Sequence, residues 1–352
     1  MKHVYTSFLT FTLLIFTATG VYAQGPNESG TYYAAADGKK GAELKTALCA
    51  IIYNRTERTY NDLWTDFRTT DKRADGKVWD MYSGISNYTF GTDQAGNYSG
   101  EGENNGGKYN REHSFPKSWF GSSGNKTIYP MYSDLFHLYP TDGKVNGMRS
   151  NYPFGETTGN SYKSKNDFSK LGTCTYPGYT GKVFEPNDIY KGDFARTYFY
   201  MVTCYEEKIA DWYTNYGVNG SGDTKEGVLA TLDGNAYPGL SSWQLEMLMK
   251  WSKNDPVDSP IAKETPRNNE IYNNIQHNRN PFIDYPGLEE YIWGSLKDVA
   301  FSYDHYQVPT AIMTIKAEPA NKEDVMYNLA GQVVDKSYKG IVIMNGKKFV
   351  NK

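Results

Sequence analysis

Between Lys40 and Asn54, the apolar residues Leu44, Leu48, Ile51 and Ile52 recur at the spacing of one helical face, which predicts an amphipathic helix. A second short helix is expected over Asn61 to Phe67. The periodicity then fades. Residues 83–109 are dense in Gly, Asn, Ser and Tyr, and Gly100 to Gly107 reads as a flexible polar loop. The chain leaves that loop in an extended run through His113 to Pro116, and Asp134 to Tyr139 begins another ordered segment. Asn146 to Pro153 is polar at its start and is expected to form a short helix that proline stops.

The clearest helical pattern spans Tyr190 to Tyr213, where Phe194, Tyr198, Met201, Tyr205, Ile209 and Trp212 form a broad apolar stripe. Trp243 to Ser252 and Arg267 to His277 repeat the pattern with Leu245, Leu248 and Trp251, and with Ile271 and Ile275. After Ser302 the texture changes. Ala311 to Lys316, Asp324 to Val334 and Gly340 to Val350 read as short strands between polar turns, and Asn345-Gly346 is a hairpin signal. The elements together predict an α+β protein, a mainly helical body followed by a small C-terminal β module.

Composition adds an export signal. Residues 1–23 comprise a short basic start, an apolar run from Phe8 to Phe16 and the small-residue site Val21-Tyr22-Ala23, the pattern of a secretory signal peptide cleaved after Ala23. The apolar run falls well short of the ~20 residues that span a bilayer. Residues 24–38 are polar and expected to be loose. A formal net charge of -3 supplies no broad basic field, so any contact with nucleic acid rests on local Lys and Arg. The three cysteines, Cys49, Cys174 and Cys204, exclude a disulfide-dense scaffold, allow one disulfide, and lack the spacing of a structural zinc site. Asn97-Tyr98-Ser99 is a glycosylation triplet of the kind that Asn-rich loops generate by chance.

Candidate chemistry concentrates in Lys108-Tyr-Asn-Arg-Glu-His-Ser-Phe-Pro-Lys-Ser-Trp-Phe120, where Glu112 and His113 sit side by side in a chain with 5 histidines. In a regular strand their side chains point to opposite faces, so they are not two ligands on one helical face. Imidazole suits proton transfer near neutral pH, and a carboxylate suits a hard divalent ion that offsets charge on phosphate.

The run Asn110-Arg-Glu-His-Ser-Phe-Pro-Lys-Ser-Trp119 resembles the bacterial endonuclease I family, secreted or periplasmic nucleases with a ββα-metal, or His-Me finger, active site. The resemblance continues through Ser133-Asp-Leu-Phe-His-Leu-Tyr-Pro140, Gly143-Lys-Val-Asn-Gly-Met-Arg-Ser-Asn-Tyr152 and Lys191-Gly-Asp-Phe-Ala-Arg-Thr-Tyr-Phe-Tyr200. It ends in Arg267-Asn-Asn-Glu270 and Asn278-Arg-Asn-Pro-Phe-Ile-Asp284, covering about residues 40–302. The chain is thus expected to divide into the signal peptide over 1–23, a domain over 24–302 that the resemblance makes a nuclease, and the β-rich tail over 303–352. The resemblance implies that His113 is the general base, and that Glu112 and Asn151 hold one divalent ion, expected to be Mg2+. Arg149 is expected to clamp phosphate, or else to form a structural salt bridge. Arg111 and Lys117 are expected along the path of a DNA or RNA substrate. By the same resemblance, hydrolysis has little sequence preference and leaves 5′-phosphate and 3′-hydroxyl ends. No stable protein partner is expected.

One departure stands out. The family commonly carries Asp-Leu-His, whereas this chain has Asp134-Leu135-Phe136 followed by His137. His137 is therefore expected to support the site from behind rather than to react. A secreted polymer-binding protein that has lost catalysis, and a glycan hydrolase using paired carboxylates, are the competing readings. The tail, with Tyr327-Asn-Leu-Ala-Gly-Gln332 and Lys339-Gly-Ile-Val-Ile343, resembles terminal β segments of exported Bacteroidota proteins. That implies sorting by export or surface-attachment machinery, and a protein secreted from, or held at the outer surface of, a Gram-negative bacterium, with the periplasm as the other location.

Overall fold

The computed structural model describes residues 24–95, 99–121, 129–309, 326–328, 333–335, 337–344 and 347–351. The expected signal peptide, the glycosylation site at Asn97, the strand at 311–316 and the Asn345-Gly346 turn lie outside the described residues. The chain separates into two units, Met1–Val308 and Pro309–Lys352.

In the first unit, helix α1 (Gly41–Ile52) buries Leu44, Leu48 and Ile52 on the face that their spacing predicts. Helix α2 (Leu63–Thr70) follows, burying Leu63 and Phe67. Strands β1 (Tyr109–His113) and β2 (Leu138–Asp142) pair antiparallel, from Tyr109 opposite Asp142 to His113 opposite Leu138. Helix α3 (Gly143–Arg149) starts at once because Asp142 caps it, its Oδ1 accepting from Lys144 N at 2.8 Å and Val145 N at 3.0 Å. The helix ends where Ser150 takes a left-handed φ of 53°. It therefore sits earlier than the pattern from Asn146 to Pro153 suggests, and Asn151 lies beyond its end.

The glycine-rich loop before β1 is pinned rather than free. Asp142 Oδ2 accepts from Gly102 N at 2.8 Å. A Cβ on Gly107 would come within 2.6 Å of Gly100 O and 2.7 Å of Gly102 O, so the glycine permits backbone to pack on backbone.

Strands β3 (Tyr162–Lys163), β4 (Lys170–Thr173) and β5 (Lys182–Glu185) form a small antiparallel sheet that the sequence pattern did not reveal. Helix α4 (Lys191–Cys204) runs through the core, and every residue from Phe194 to Cys204 is buried. That explains why its apolar stripe reads so broad. The expected continuation to Tyr213 is interrupted after Cys204 by a 3₁₀ turn, and the helix resumes as α5 (Ile209–Trp212). Helices α6 (Gly222–Thr231), α7 (Ser242–Asn254), α8 (Glu264–Glu270), α9 (Pro281–Asp284) and α10 (Leu288–Ile292) complete the unit. Buried ion pairs stitch distant segments together, Arg196 to Glu264 at 2.6 Å and Arg267 to Asp71 at 3.0 Å, and a local one joins Arg279 to Asp284 at 2.6 Å. Such pairs add modest net stability, and losing one partner strands the other charge.

All three cysteines are free, so the disulfide that the sequence allowed is not formed; Cys49 Sγ instead donates to Cys204 O at 3.4 Å. Residues 303–308, read as the start of the tail, belong with the helical unit: the Tyr306 hydroxyl donates to Pro286 O at 2.9 Å. The second unit holds strands β6 (Met326–Asn328), β7 (Val333–Val334), β8 (Gly340–Met344) and β9 (Lys347–Asn351), in the antiparallel order β7-β6-β8-β9. Among the described residues no helix is long and apolar enough to cross a membrane.

Candidate active site

The end of β1 and the end of α3 meet at a cavity of about 300 Å³. Its lining includes Tyr60, Arg111, Glu112, His113, Lys117, Ser118, Arg149 and Asn151, so six residues singled out from the sequence gather at one place.

Glu112 and His113 leave β1 on opposite sides, as alternation requires. The Glu112 Oε1 atom accepts from Arg149 Nη1 at 3.0 Å and from the Tyr82 hydroxyl at 3.1 Å. Both bonds fall on Oε1. Burial raises the Glu112 carboxyl to about 7, with Arg149 the largest influence in the other direction. Tyr82 is held in place from below. Asp80 accepts from Tyr82 N at 2.8 Å and from Asp142 N at 2.9 Å, which ties this loop to the junction of β2 and α3.

His113 packs between aromatic rings, with Tyr60 stacked at 5.5 Å and Tyr132 at 5.1 Å. Its Nε2 lies 2.9 Å from Tyr132 O. A carbonyl oxygen only accepts, so Nε2 carries the proton and Nδ1 keeps its lone pair. Burial holds the imidazole well below its ordinary value, and the neighbouring His137 pushes the same way. The ring is therefore neutral near pH 7, the form in which it can accept a proton.

His137 lies behind it, 5.4 Å away between ring centres, fully buried, with Nε2 donating to Met131 O at 2.7 Å. Phe136 points elsewhere, packing against Tyr200 at 4.7 Å.

Arg149 is not placed to grip a phosphate. Its side chain is 1% exposed, and its terminal nitrogens serve Glu112, the His113 and Ser150 carbonyls, Ser114 O at 2.6 Å and the Tyr198 hydroxyl. Of the two roles weighed for it, the structural salt bridge is the one its burial fits. Arg111 is half-buried, its guanidinium over the Tyr60 ring at 3.6 Å and the Trp64 ring at 4.3 Å, with Nη1 donating to Tyr60 O at 2.5 Å. Lys117 stands exposed on the rim.

Among the described residues there is no group of three or more His, Cys, Asp or Glu able to hold a metal. Of the residues lining this cavity, Glu112 and Asn151 carry a carboxylate and an amide oxygen, and His113 carries an imidazole nitrogen. Oxygen ligands few in number are what a hard divalent ion that keeps much of its water accepts.

Tyr60, Tyr82, Tyr132, Ser118 and Thr224 were not singled out from the sequence. Ser118 lies inside the first motif and Tyr132 just before the second, and nothing in the local pattern marks a hydroxyl or a main-chain carbonyl as part of a site.

The family model for endonuclease I matches residues 40–287. The chain is 35% identical over 269 residues to the extracellular ribonuclease of Bacillus amyloliquefaciens, an alignment covering 76% of this chain and 79% of that protein. Against the extracellular ribonuclease of Bacillus subtilis it is 35% identical over 273 residues, again 76% of this chain and 79% of the relative. It is 28% identical over 149 residues to Endonuclease-1 of Buchnera aphidicola subsp. Baizongia pistaciae, covering 36% of this chain and 59% of that protein.

Proposed function

The chain belongs to the endonuclease I family and is a nuclease, and from that premise we propose a secreted, Mg2+-dependent endonuclease that cleaves RNA and DNA with little sequence preference. The products carry 5′-phosphate and 3′-hydroxyl ends. The β1/β2 pair running into α3 supports a ββα-metal core. The signal peptide over 1–23 and the extracellular relatives support export, and the tail serves sorting or surface attachment.

The observation that carries this reading is the bond between His113 Nε2 and Tyr132 O. It fixes which nitrogen is basic, and Nδ1 then takes a proton from the attacking water. Glu112 and Asn151 hold the ion, which when bound offsets charge on the phosphate and on the departing oxygen. Arg149 opposes the effect of burial by favouring the ionised form of Glu112, and holds that carboxylate in place. Lys117 meets the phosphate backbone electrostatically, and such contacts position a strand without reading its bases. Arg111, stacked on Tyr60, adds positive charge beside the same cavity.

Cleavage of supercoiled plasmid and of single-stranded RNA, in matched Mg2+ and EDTA samples with a folded His113→Ala control, tests the reading. Cleavage that needs Mg2+ and disappears in the variant is the expected result. Wild-type rates from folded His113→Ala, or undiminished cleavage in EDTA, would overturn the corresponding role.

A further inference from the structure

Helix α6 contributes no residue to any motif, yet it touches the site. Asn151 Nδ2 donates to Thr224 Oγ1 at 2.8 Å and to Ser118 Oγ at 3.2 Å. Both amide hydrogens are thereby used, one toward α6 and one toward the 3₁₀ turn Lys117–Trp119. On the other side of the amide, Ser150 Oγ donates to Asn151 Oδ1 at 3.3 Å.

The helix reaches this position because of Gly227, one turn after Thr224 and on the same face. A Cβ there would lie 2.8 Å from Trp119 Nε1 and 2.9 Å from Asn151 O. Only a residue without a side chain lets α6 settle against Asn151 and bring the Thr224 hydroxyl within reach.

A primary amide can present either end to a neighbour, and the two ends are chemically opposite. Its oxygen attracts a cation and its NH₂ repels one. We propose that Thr224 and Ser118 are positioning residues that select the oxygen end of Asn151 for the divalent ion. The inference rests on the reading of Asn151 as a ligand and extends it to two hydroxyls from separate elements. Both hydroxyls accept from Nδ2. Turning the amide over would require both to donate to one oxygen and would direct NH₂ at the cation. Partners that orient a ligand in this way typically set metal affinity by 10- to 100-fold, roughly.

The test is a titration of Mn2+ into metal-free full-length protein, with free Mn2+ read by electron paramagnetic resonance and the unfolding midpoint measured alongside. Thr224→Val, which keeps shape and removes the acceptor, is expected to weaken binding about 10-fold or more, and Thr224→Ser to restore it. If Thr224→Val does not fold, Ser118→Ala takes its place in the same titration. Wild-type affinity in a folded Thr224→Val while Asn151→Ala loses binding would overturn the positioning role and leave the ligand reading standing. Wild-type affinity in Asn151→Ala would remove the ligand reading itself.

Discussion

The Arg149 guanidinium lies 3.0 Å from Glu112 Oε1 with both side chains almost wholly buried. It joins the last turn of α3 to β1, so the carboxylate at the cavity is held by the same contact that docks the helix. Arg149→Met would strand the Glu112 charge and is expected to cost about 3–5 kcal/mol of stability. Glu112→Gln keeps an acceptor for Tyr82 and Arg149 and is expected to cost less stability while abolishing Mg2+-supported cleavage. Urea unfolding of both variants measures the difference. A phosphate-gripping Arg149 would behave otherwise, with unchanged unfolding and a raised KM.

His113→Ala removes the base together with a ring packed against Tyr60 and Tyr132, so the unfolding midpoint is checked alongside. Turnover is expected to fall by about 100- to 10,000-fold, with KM changed much less. Steady-state kinetics on one RNA substrate at fixed Mg2+ checks the split.

His137 predicts a sensitivity to acid. Burial lowers its imidazole to about 4, against the attraction of Asp134. The unfolded chain protonates this residue below about 6.5. Between those two values the unfolded state binds more protons, so the contribution to stability is full above the upper value and shrinks as pH falls toward the lower one. Buried carboxylates act oppositely: Asp80 is raised to about 7 and Asp255 to about 6, and their contribution is lost as pH rises through those values. The informative quantity is therefore the difference between wild type and His137→Gln. That difference is expected to shift against the wild type by roughly 3 kcal/mol between pH 7 and pH 4. Parallel urea midpoints for the two proteins across that range would refute it.

Asp142 caps α3 with one carboxylate oxygen and anchors Gly102 with the other. Asp142→Ala is expected to cost more than the roughly 1 kcal/mol of a lost cap, and to open the backbone from Gly100 to Gly107. Limited proteolysis should then cut within that segment, where the wild-type chain resists.

Lys117 is exposed on the cavity rim. Lys117→Ala is expected to raise KM without lowering kcat, and to reduce the salt dependence of substrate binding by about one counterion. An unchanged slope of affinity against salt would exclude contact with phosphate.

Much of this arrangement was legible in the sequence. The α1 stripe of Leu44, Leu48 and Ile52 points where its period places it, and the Glu112-His113 pair marked the cavity. Asp142-Gly143 was a legible helix start, but the polar run from Asn146 drew the expectation downstream. The three short strands from Tyr162 to Glu185 carry too few alternating residues to signal a sheet. Helix α6 reads weakly because Gly222, Gly227 and two threonines dilute its apolar face. Arg149 was ambiguous for a deeper reason. Whether a guanidinium meets solvent or carbonyl oxygens depends on tertiary packing, and here Ser114, Tyr198 and Glu112 claim it.

The acceptor that orients His113 is the main-chain oxygen of Tyr132. Every amino acid carries the same oxygen, so substitution at that position leaves the acceptor in being. The proton arrangement of the base is thus inherited with the path of the 3₁₀ turn Pro130–Ser133. Sequence drift that preserves that path preserves the chemistry, whereas an insertion or deletion in the turn would scramble it without touching a single side chain of the site.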